Sequence, residues 1–281
     1  GDCANKGLLD EVCEKEEGID GIIHFAAYKA VGESVEKPLM YYRNNIDTLL
    51  SLLEISRKHD IAHLVFSSSC TVYGQPDKLP VTEQSPKKPA ESPYGNTKQI
   101  CEEILEDTVS SKMSVKAIAL RYFNPIGAHP TAAIGELPLG IPNNLIPYVT
   151  QTAAGMREKL TIFGDDYDTP DGTCVRDYIH VVDLAKAHVS ALQYLEKQTM
   201  PFYDMFNIGT GQGNTVLDVI RTFEEVNGIK LNYNIGPRRS GDVEKVYADV
   251  TKSSQVLGWK AELDLGDSLK DAWRWQQSLN S

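Results

Sequence analysis

Short apolar runs alternate along this chain with longer stretches in which apolar residues recur every three or four positions. The runs at 19–27, 63–69, 115–122 and 202–209 have the length of strands and carry few charges, the pattern of strands buried on both faces of a parallel sheet. Residues 7–16, 38–59, the segment after Tyr94, 181–195 and 216–226 read as helices. Leu49, Leu52, Leu53 and Ile55 give the second of these a wide apolar face, and Ile100, Ile104, Leu105 and Val109 do the same for the third. Strand and helix in alternation predict an α/β fold, a doubly wound parallel sheet. Residues 126–142 are rich in Gly and Pro and break the rhythm. They place a boundary between a first domain over 1–125 and a smaller α/β domain over 126–281, some of whose segments return to the first. The second domain has short strands at 160–164 and 231–235, the latter the last strand, and a helix opening at Asn143–Asn144.

Composition narrows the function. The 281 residues suffice for one large or two modest domains. A net charge of −11 argues against a nucleic-acid-binding face, and no apolar run reaches the roughly 18 residues of a membrane span. Five cysteines, odd in number and without Cys-x-x-Cys, point to reduced thiols in a cytoplasmic protein. The histidines show no metal-ligand spacing. Asp165, Asp166, Asp168 and Asp171 fail as a calcium loop, because Pro170 interrupts them and no closing Glu follows, so a solvated loop and no metal are expected. The glycine-rich 209–214 predicts a strand-to-helix turn in the second domain rather than a nucleotide loop.

The candidate chemistry lies at Ser69 and in Ser92-Pro93-Tyr94-Gly95-Asn96-Thr97-Lys98. Pro93 favours the first helical position, which sets Tyr94 and Lys98 on one face a turn apart. A phenol titrating near ~10 is a poor base, and a cation within a few ångströms favours its phenolate. Ser69 ends an apolar strand, at the edge where open α/β sheets bind ligands. A strand-end hydroxyl followed by Tyr and Lys on the next helix can take a proton from a sugar hydroxyl while the carbon loses hydride.

Phe66-Ser67-Ser68-Ser69-Cys70-Thr71-Val72-Tyr73-Gly74 followed by Ser92-Pro93-Tyr94-Gly95 resembles the extended branch of the short-chain dehydrogenase/reductase family. Within that branch it resembles the enzymes that epimerise UDP-hexoses at C4. The resemblance runs from Gly1 to about Trp275. It implies a Rossmann-type domain and NAD as cofactor. Asp2 would meet the adenine; Phe25, Ala26, Lys29, Asn44, Ser67 and Tyr122 would surround NAD together with Tyr94 and Lys98. Phe123, Asn124, Asn144, Leu145, Arg176, Arg239, Asp242 and Val246 would hold the UDP-sugar, Arg176 and Arg239 at the diphosphate and Asp242 at a ribose hydroxyl. Arg238 and Arg239 offer a fork for phosphate. The resemblance also implies a Gly-rich loop in a first βαβ unit ahead of Gly1, absent from the chain as given, and a homodimer built on the two long helices. His180 reads as a structural strand residue.

The implied reaction interconverts UDP-galactose and UDP-glucose: Tyr94 takes the 4-hydroxyl proton, Ser69 holds the same oxygen, and Lys98 holds the cofactor ribose and keeps Tyr94 acidic. Val246, four residues after Asp242, would form a wall small enough to admit an N-acetyl group, unless a one-residue slip puts Tyr247 there instead. Other readings stay open. Sugar-nucleotide dehydratases and decarboxylases of the same branch place an acid just after the triad hydroxyl, where this chain has Cys70 and Thr71. A non-catalytic nucleotide-binding protein and an inactive fragment are the remaining two.

Overall fold

The computed structural model describes all residues except Glu17, Lys112, Met113, Ser240, Gly241, Asn280 and Ser281. In chain order the elements are α1 (Lys6–Lys15), β1 (Gly21–His24), α2 (Val31–Glu36), α3 (Pro38–Lys58), β2 (His63–Ser67), a 3-10 turn (Cys70–Tyr73), α4 (Pro93–Ser110), β3 (Lys116–Tyr122) and β4 (Asn124–Ile126). Then follow α5 (Leu145–Ala153), β5 (Leu160–Phe163), β6 (Val175–Arg176), β7 (Tyr178–His180), α6 (Val181–Glu196), β8 (Phe202–Ile208), β9 (Asn214–Thr215), α7 (Val216–Asn227), β10 (Tyr233–Gly236), β11 (Lys245–Val246), α8 (Thr251–Leu257) and α9 (Leu265–Ser278).

The main sheet is parallel, in the order β1-β2-β3-β8. Alternation along its strands separates two cores. Leu64, Phe66, Ala117 and Ala119 face α3 and α4, where they meet Leu49, Leu53, Leu105 and Val109. Val65, Ile118, Leu120 and Phe206 face α6, where they meet Leu184, Ala187, Ala191 and Leu195. Helices thus cover both faces, the α/β layering that the apolar runs predicted. The strand at 202–208 lies beside β3 although it follows the second-domain segments in sequence. A further core joins α5, α7 and α9 to β5 and β7 around Ile146, Ile162, Tyr178, Phe223 and Leu269.

Most of the apolar surface that suggested a helical dimer interface is used internally. Leu49, Leu52, Leu53, Ile55, Leu105 and Val109 are all buried within this chain. α2, β11, α8 and α9 were not foreseen, and 231–235 does not hold the last strand. β11 is two residues long and α8 seven, too short for periodicity to reveal.

The glycine-rich turn at 209–214 does connect a strand to the segment that opens α7, and it wraps a carboxylate. Asp177 is fully buried and accepts from Thr210 N and Oγ1 at 2.8 and 2.7 Å, Gly211 N at 3.0 Å and Ala248 N at 3.2 Å. A Cβ on Gly209 would stand 2.5 Å from the same carboxylate, so only glycine fits.

A second buried network closes the upper edge of the sheet. Glu102 of α4 takes two bonds from Arg121 of β3, at 2.8 and 2.7 Å, one from Ser68 at 2.6 Å and an ion pair from Lys87 at 2.9 Å. Burial pushes the Glu102 carboxyl up, but the Arg121 bonds and charge outweigh it and hold the group below the usual carboxylate range. Arg121→Met leaves that carboxylate buried beside Lys87 alone. We expect a loss of about 3–5 kcal/mol in urea unfolding at neutral pH. A loss below ~1 kcal/mol would mean that Lys87 neutralises Glu102 unaided.

Candidate active site

α4 is set by its first turn. Ser92 caps it, accepting the Gly95 N–H at 3.2 Å, and Pro93 occupies the position where a missing N–H costs nothing. Tyr94 and Lys98 therefore lie on one face, turned toward the end of β2. The Ser69 hydroxyl accepts the Thr71 N–H at 3.3 Å and is near enough to the Tyr94 phenol to lower its pKa. Lys98 Nζ donates to Ser67 O at 2.7 Å and stands 4.8 Å from the Phe66 ring centroid and 5.9 Å from that of Tyr94. All three side chains are buried.

The electrostatics differ from the expectation that Lys98 keeps Tyr94 acidic. Burial raises the Tyr94 phenol far above its ordinary value, the neighbouring Tyr122 adds to this, and the nearby Ser69 hydroxyl only partly opposes it. Burial also lowers the Lys98 ammonium to about 8. His24, held neutral by burial at about 4, is near enough to feel the Lys98 charge. Desolvation thus outweighs the 5.9 Å pairing.

Around this centre Ser67 Oγ lies 3.3 Å from His188 Nε2 and is near enough to Tyr122 to lower its phenol pKa, against the larger rise from burial. Phe25 is exposed and packs on the His188 ring at 4.4 Å, and Ala26 follows it, also exposed. Asp2 accepts the Ala4 N–H at 2.9 Å, the turn role that a Gly-Asp pair has on its own. Asn44 donates to the side chain of Asn45 at 3.0 Å. Asn45, which the sequence reading passed over, bonds both backbone groups of Tyr28 and reaches Thr97 of α4 at 3.0 Å. A buried Asn on an apolar helix face was the available signal.

A cavity of about 360 Å³ has Asn124, Asn144, Leu145, Arg176, Arg239 and Asp242 in its walls, and the Arg176 charge is felt by Cys70, the residue after Ser69. Asn144 sits at the cap of α5, but its side chain bonds Glu136 at 2.7 Å instead of its own helix. Lys29 reaches the same Glu136 oxygen at 3.3 Å. Glu136, unremarked in the sequence, thereby bridges a loop after β1 to the start of α5. Arg239 grips Asp242 through two bonds at 3.1 and 2.7 Å, and Arg176 lies 3.9 Å from the same carboxylate. Asp242 is therefore engaged with the arginines that it was expected to leave free. Arg238 is not part of the fork: it pairs with Asp166 at 2.7 Å and stacks on Tyr167 at 4.1 Å. Ser240 and Gly241 of this turn lie outside the described residues. Phe123 and Val246 are buried together with Val72 and Tyr73, off the cavity wall. Tyr247 points the other way, against Gly213. His180 caps α6 and meets Asp271, and no metal-holding cluster occurs among the described residues.

Residues 1–209 match the model of the NAD dependent epimerase/dehydratase family. The UDP-glucose 4-epimerase of Dictyostelium discoideum is 51% identical over 279 residues, 99% of this chain and 80% of that protein. The chain belongs to the UDP-glucose 4-epimerase family. Among solved structures, the family member from Bifidobacterium longum in complex with NAD+ and UDP is 46% identical with a TM-score of 0.94, over 99% of this chain and 82% of that one. The UDP-Glc/GlcNAc 4-epimerase from Campylobacter jejuni is 37% identical with a TM-score of 0.82, over 99% and 83%.

The donor set fits the family's cofactor. Among the described residues, Ser67 O is the one hydrogen-bond acceptor of the buried Lys98 ammonium, which leaves donors for the hydroxyls of a ribose. The shifted Lys98 also predicts a pH effect. Between about 8 and its ordinary 10.5 the folded chain binds fewer protons here than the unfolded one. Its burial therefore costs stability below pH ~8, and the cost fades as pH rises through that window. Lys98→Met, with cofactor removed from both proteins, should gain stability relative to the parent at pH 7 and lose much of that advantage by pH 10. Denaturant titrations at the two pH values check this; an advantage that does not shrink would refute the assignment.

Proposed function

We propose that this protein interconverts UDP-galactose and UDP-glucose by oxidising C4 to a ketone and reducing it from the other face of the ring. The observation that carries the reading is the convergence of Ser69, Tyr94 and Lys98 at the end of β2, together with a cavity walled by two arginines. NAD, when bound, supplies the hydride acceptor and, in its oxidised form, a positive charge that favours a phenolate. Ser67, Lys98, Lys29 and Tyr122 are the residues to hold it.

Tyr94 takes the proton of the 4-hydroxyl at its phenolic oxygen and later returns one to the same oxygen. Ser69, beside that phenol, keeps the sugar oxygen within reach of it. Arg176, Arg239 and Asn144 hold the diphosphate, Leu145 the uracil, and Asn124 meets the sugar nucleotide. Arg176 also opposes the burial of the Cys70 thiol, so the phosphate end and the triad end of the site are electrostatically continuous. Burial pushes that thiol up to about 11, and the Thr71 hydroxyl is not an acid. Both features disfavour a dehydratase or decarboxylase, which needs an acid there. The reading includes a homodimer through α3 and α4, supported by the outward Leu39 and Leu50 of α3, and a cytoplasmic setting, supported by five unpaired cysteines.

Tyr94→Phe should lower kcat by about 10²–10⁴ while UDP-sugar affinity stays within a few-fold. Near-parental turnover would end the mechanism.

Val246 bears on which sugar is accepted. It is buried beside Phe123, Val72 and Tyr73, behind the cavity rather than in its wall, and Tyr247 packs against Gly213 instead, so the residue backing this position is small. One small apolar side chain excludes a bulkier group by no more than ~1–3 kcal/mol. We therefore expect the N-acetylated pair, UDP-N-acetylglucosamine and UDP-N-acetylgalactosamine, to be interconverted with kcat/KM within about tenfold of the unsubstituted pair. Val246→Tyr should abolish only the former. Absence of turnover on the N-acetylated pair in the parent enzyme would sink the assignment.

A further inference from the structure

Three consecutive serines at the end of β2 meet three successive turns of α4. Ser67 O accepts from Lys98 Nζ at 2.7 Å. Ser68 Oγ donates to Glu102 Oε1 at 2.6 Å. The Ser69 hydroxyl is near enough to the Tyr94 phenol to lower its pKa. Tyr94, Lys98 and Glu102 are spaced four residues apart and so form one stripe along the helix. Ser68 lies between the carbonyl that holds Lys98 and the hydroxyl that meets Tyr94, and it is fully buried. Its N–H turns back onto Phe66 O at 3.0 Å, which leaves the side chain as its link to α4.

Glu102 cannot follow Ser68 if the serine moves. Arg121 binds both of its oxygens and Lys87 lies 2.9 Å away. The bond is therefore a short, charge-assisted contact to a fixed point. Neither residue reaches the nucleotide cavity. Neither can touch a substrate, and any effect on the reaction must pass through the triad.

We propose that Ser68 and Glu102 are positioning residues: their hydrogen bond sets the height of Ser67-Ser68-Ser69 against α4 and thereby the spacing of Ser69, Tyr94 and Lys98. This rests on the epimerase reading. Misplacing catalytic groups by ~1 Å can cost up to about 10²-fold in rate, so a released serine segment has a measurable consequence.

The test is Ser68→Ala in the enzyme, assayed on UDP-galactose. The expected result is a fall in kcat of about tenfold with KM within about twofold. In a Tyr94→Phe background the same change should cost nothing further, since the groups act as a unit. Ser68→Cys keeps a weak donor at the same place and should fall between parent and Ser68→Ala; it also stands in if the alanine variant does not fold. A kcat within about twofold of the parent, an equal loss in the Tyr94→Phe background, or a change confined to KM would each overturn the proposal. A parent enzyme without epimerase activity would instead overturn the reading beneath it.

Discussion

The buried pair of Glu102 and Arg121 is the constraint on which the rest of this architecture depends. A carboxylate and a guanidinium taken out of water cost several kcal/mol each, and attraction between two ions alone repays that poorly. Here the repayment is spread over a network. Arg121 also donates to the Tyr73 hydroxyl at 3.1 Å and Glu83 O at 3.3 Å, Tyr73 donates to Asn207 at 2.6 Å, and Glu83 accepts the Asn207 N–H at 2.8 Å. The members come from α4, β3, β8, the end of β2, the 3-10 turn and the proline-rich loop before α4. Each element is held at the same edge of the sheet by a charge that cannot relocate. The triad side chains project from two of these elements, so their geometry inherits the network's rigidity.

The same logic resolves a problem of sign. A chain of net charge −11 has to receive an anionic sugar nucleotide. The cations that would receive it are already engaged with carboxylates: Arg239 and Arg176 with Asp242, Lys29 with Glu136. This keeps the arginines oriented and keeps unpaired positive charge out of the protein. It also means that a diphosphate competes with acids for those donors, so affinity reflects a difference between two sets of ion pairs rather than the full strength of either.

Much of this was legible in the sequence because it is local. Apolar runs of strand length gave the parallel sheet, Ser92-Pro93 gave the start of α4, and the interval from Tyr94 to Lys98 gave their common face. The hydroxyls of Ser67 and Ser69 lie where a strand-end site requires them. What stayed hidden is tertiary. Glu102 stands next to Glu103 in the sequence and looks like one of two surface acids, yet it is fully buried and its neighbour is exposed. Arg121 interrupts an apolar run, a signal without a partner until β3 is placed beside α4. Asn207 and Tyr73 are more than a hundred residues apart. Asp177 hides in a motif that otherwise points to its neighbour Arg176, and nothing local reveals that the Gly209 turn closes over it.

The titration of Tyr94 was misjudged for the same reason, and the error is informative. Four residues of helical spacing bring a phenol and an ammonium together, which suggests mutual stabilisation of their charged forms. Spacing carries no information about burial, and burial acts on both groups in the opposite sense, raising Tyr94 and lowering Lys98. The pair is therefore drawn toward two neutral groups. A neutral, buried phenol is a poor base but a stable ground state. Its basicity has to come from further positive charge placed in the same dry site, where low dielectric makes each charge count for more. Desolvation, which works against the phenolate in the protein alone, thus makes the triad's reactivity conditional on what is bound beside it.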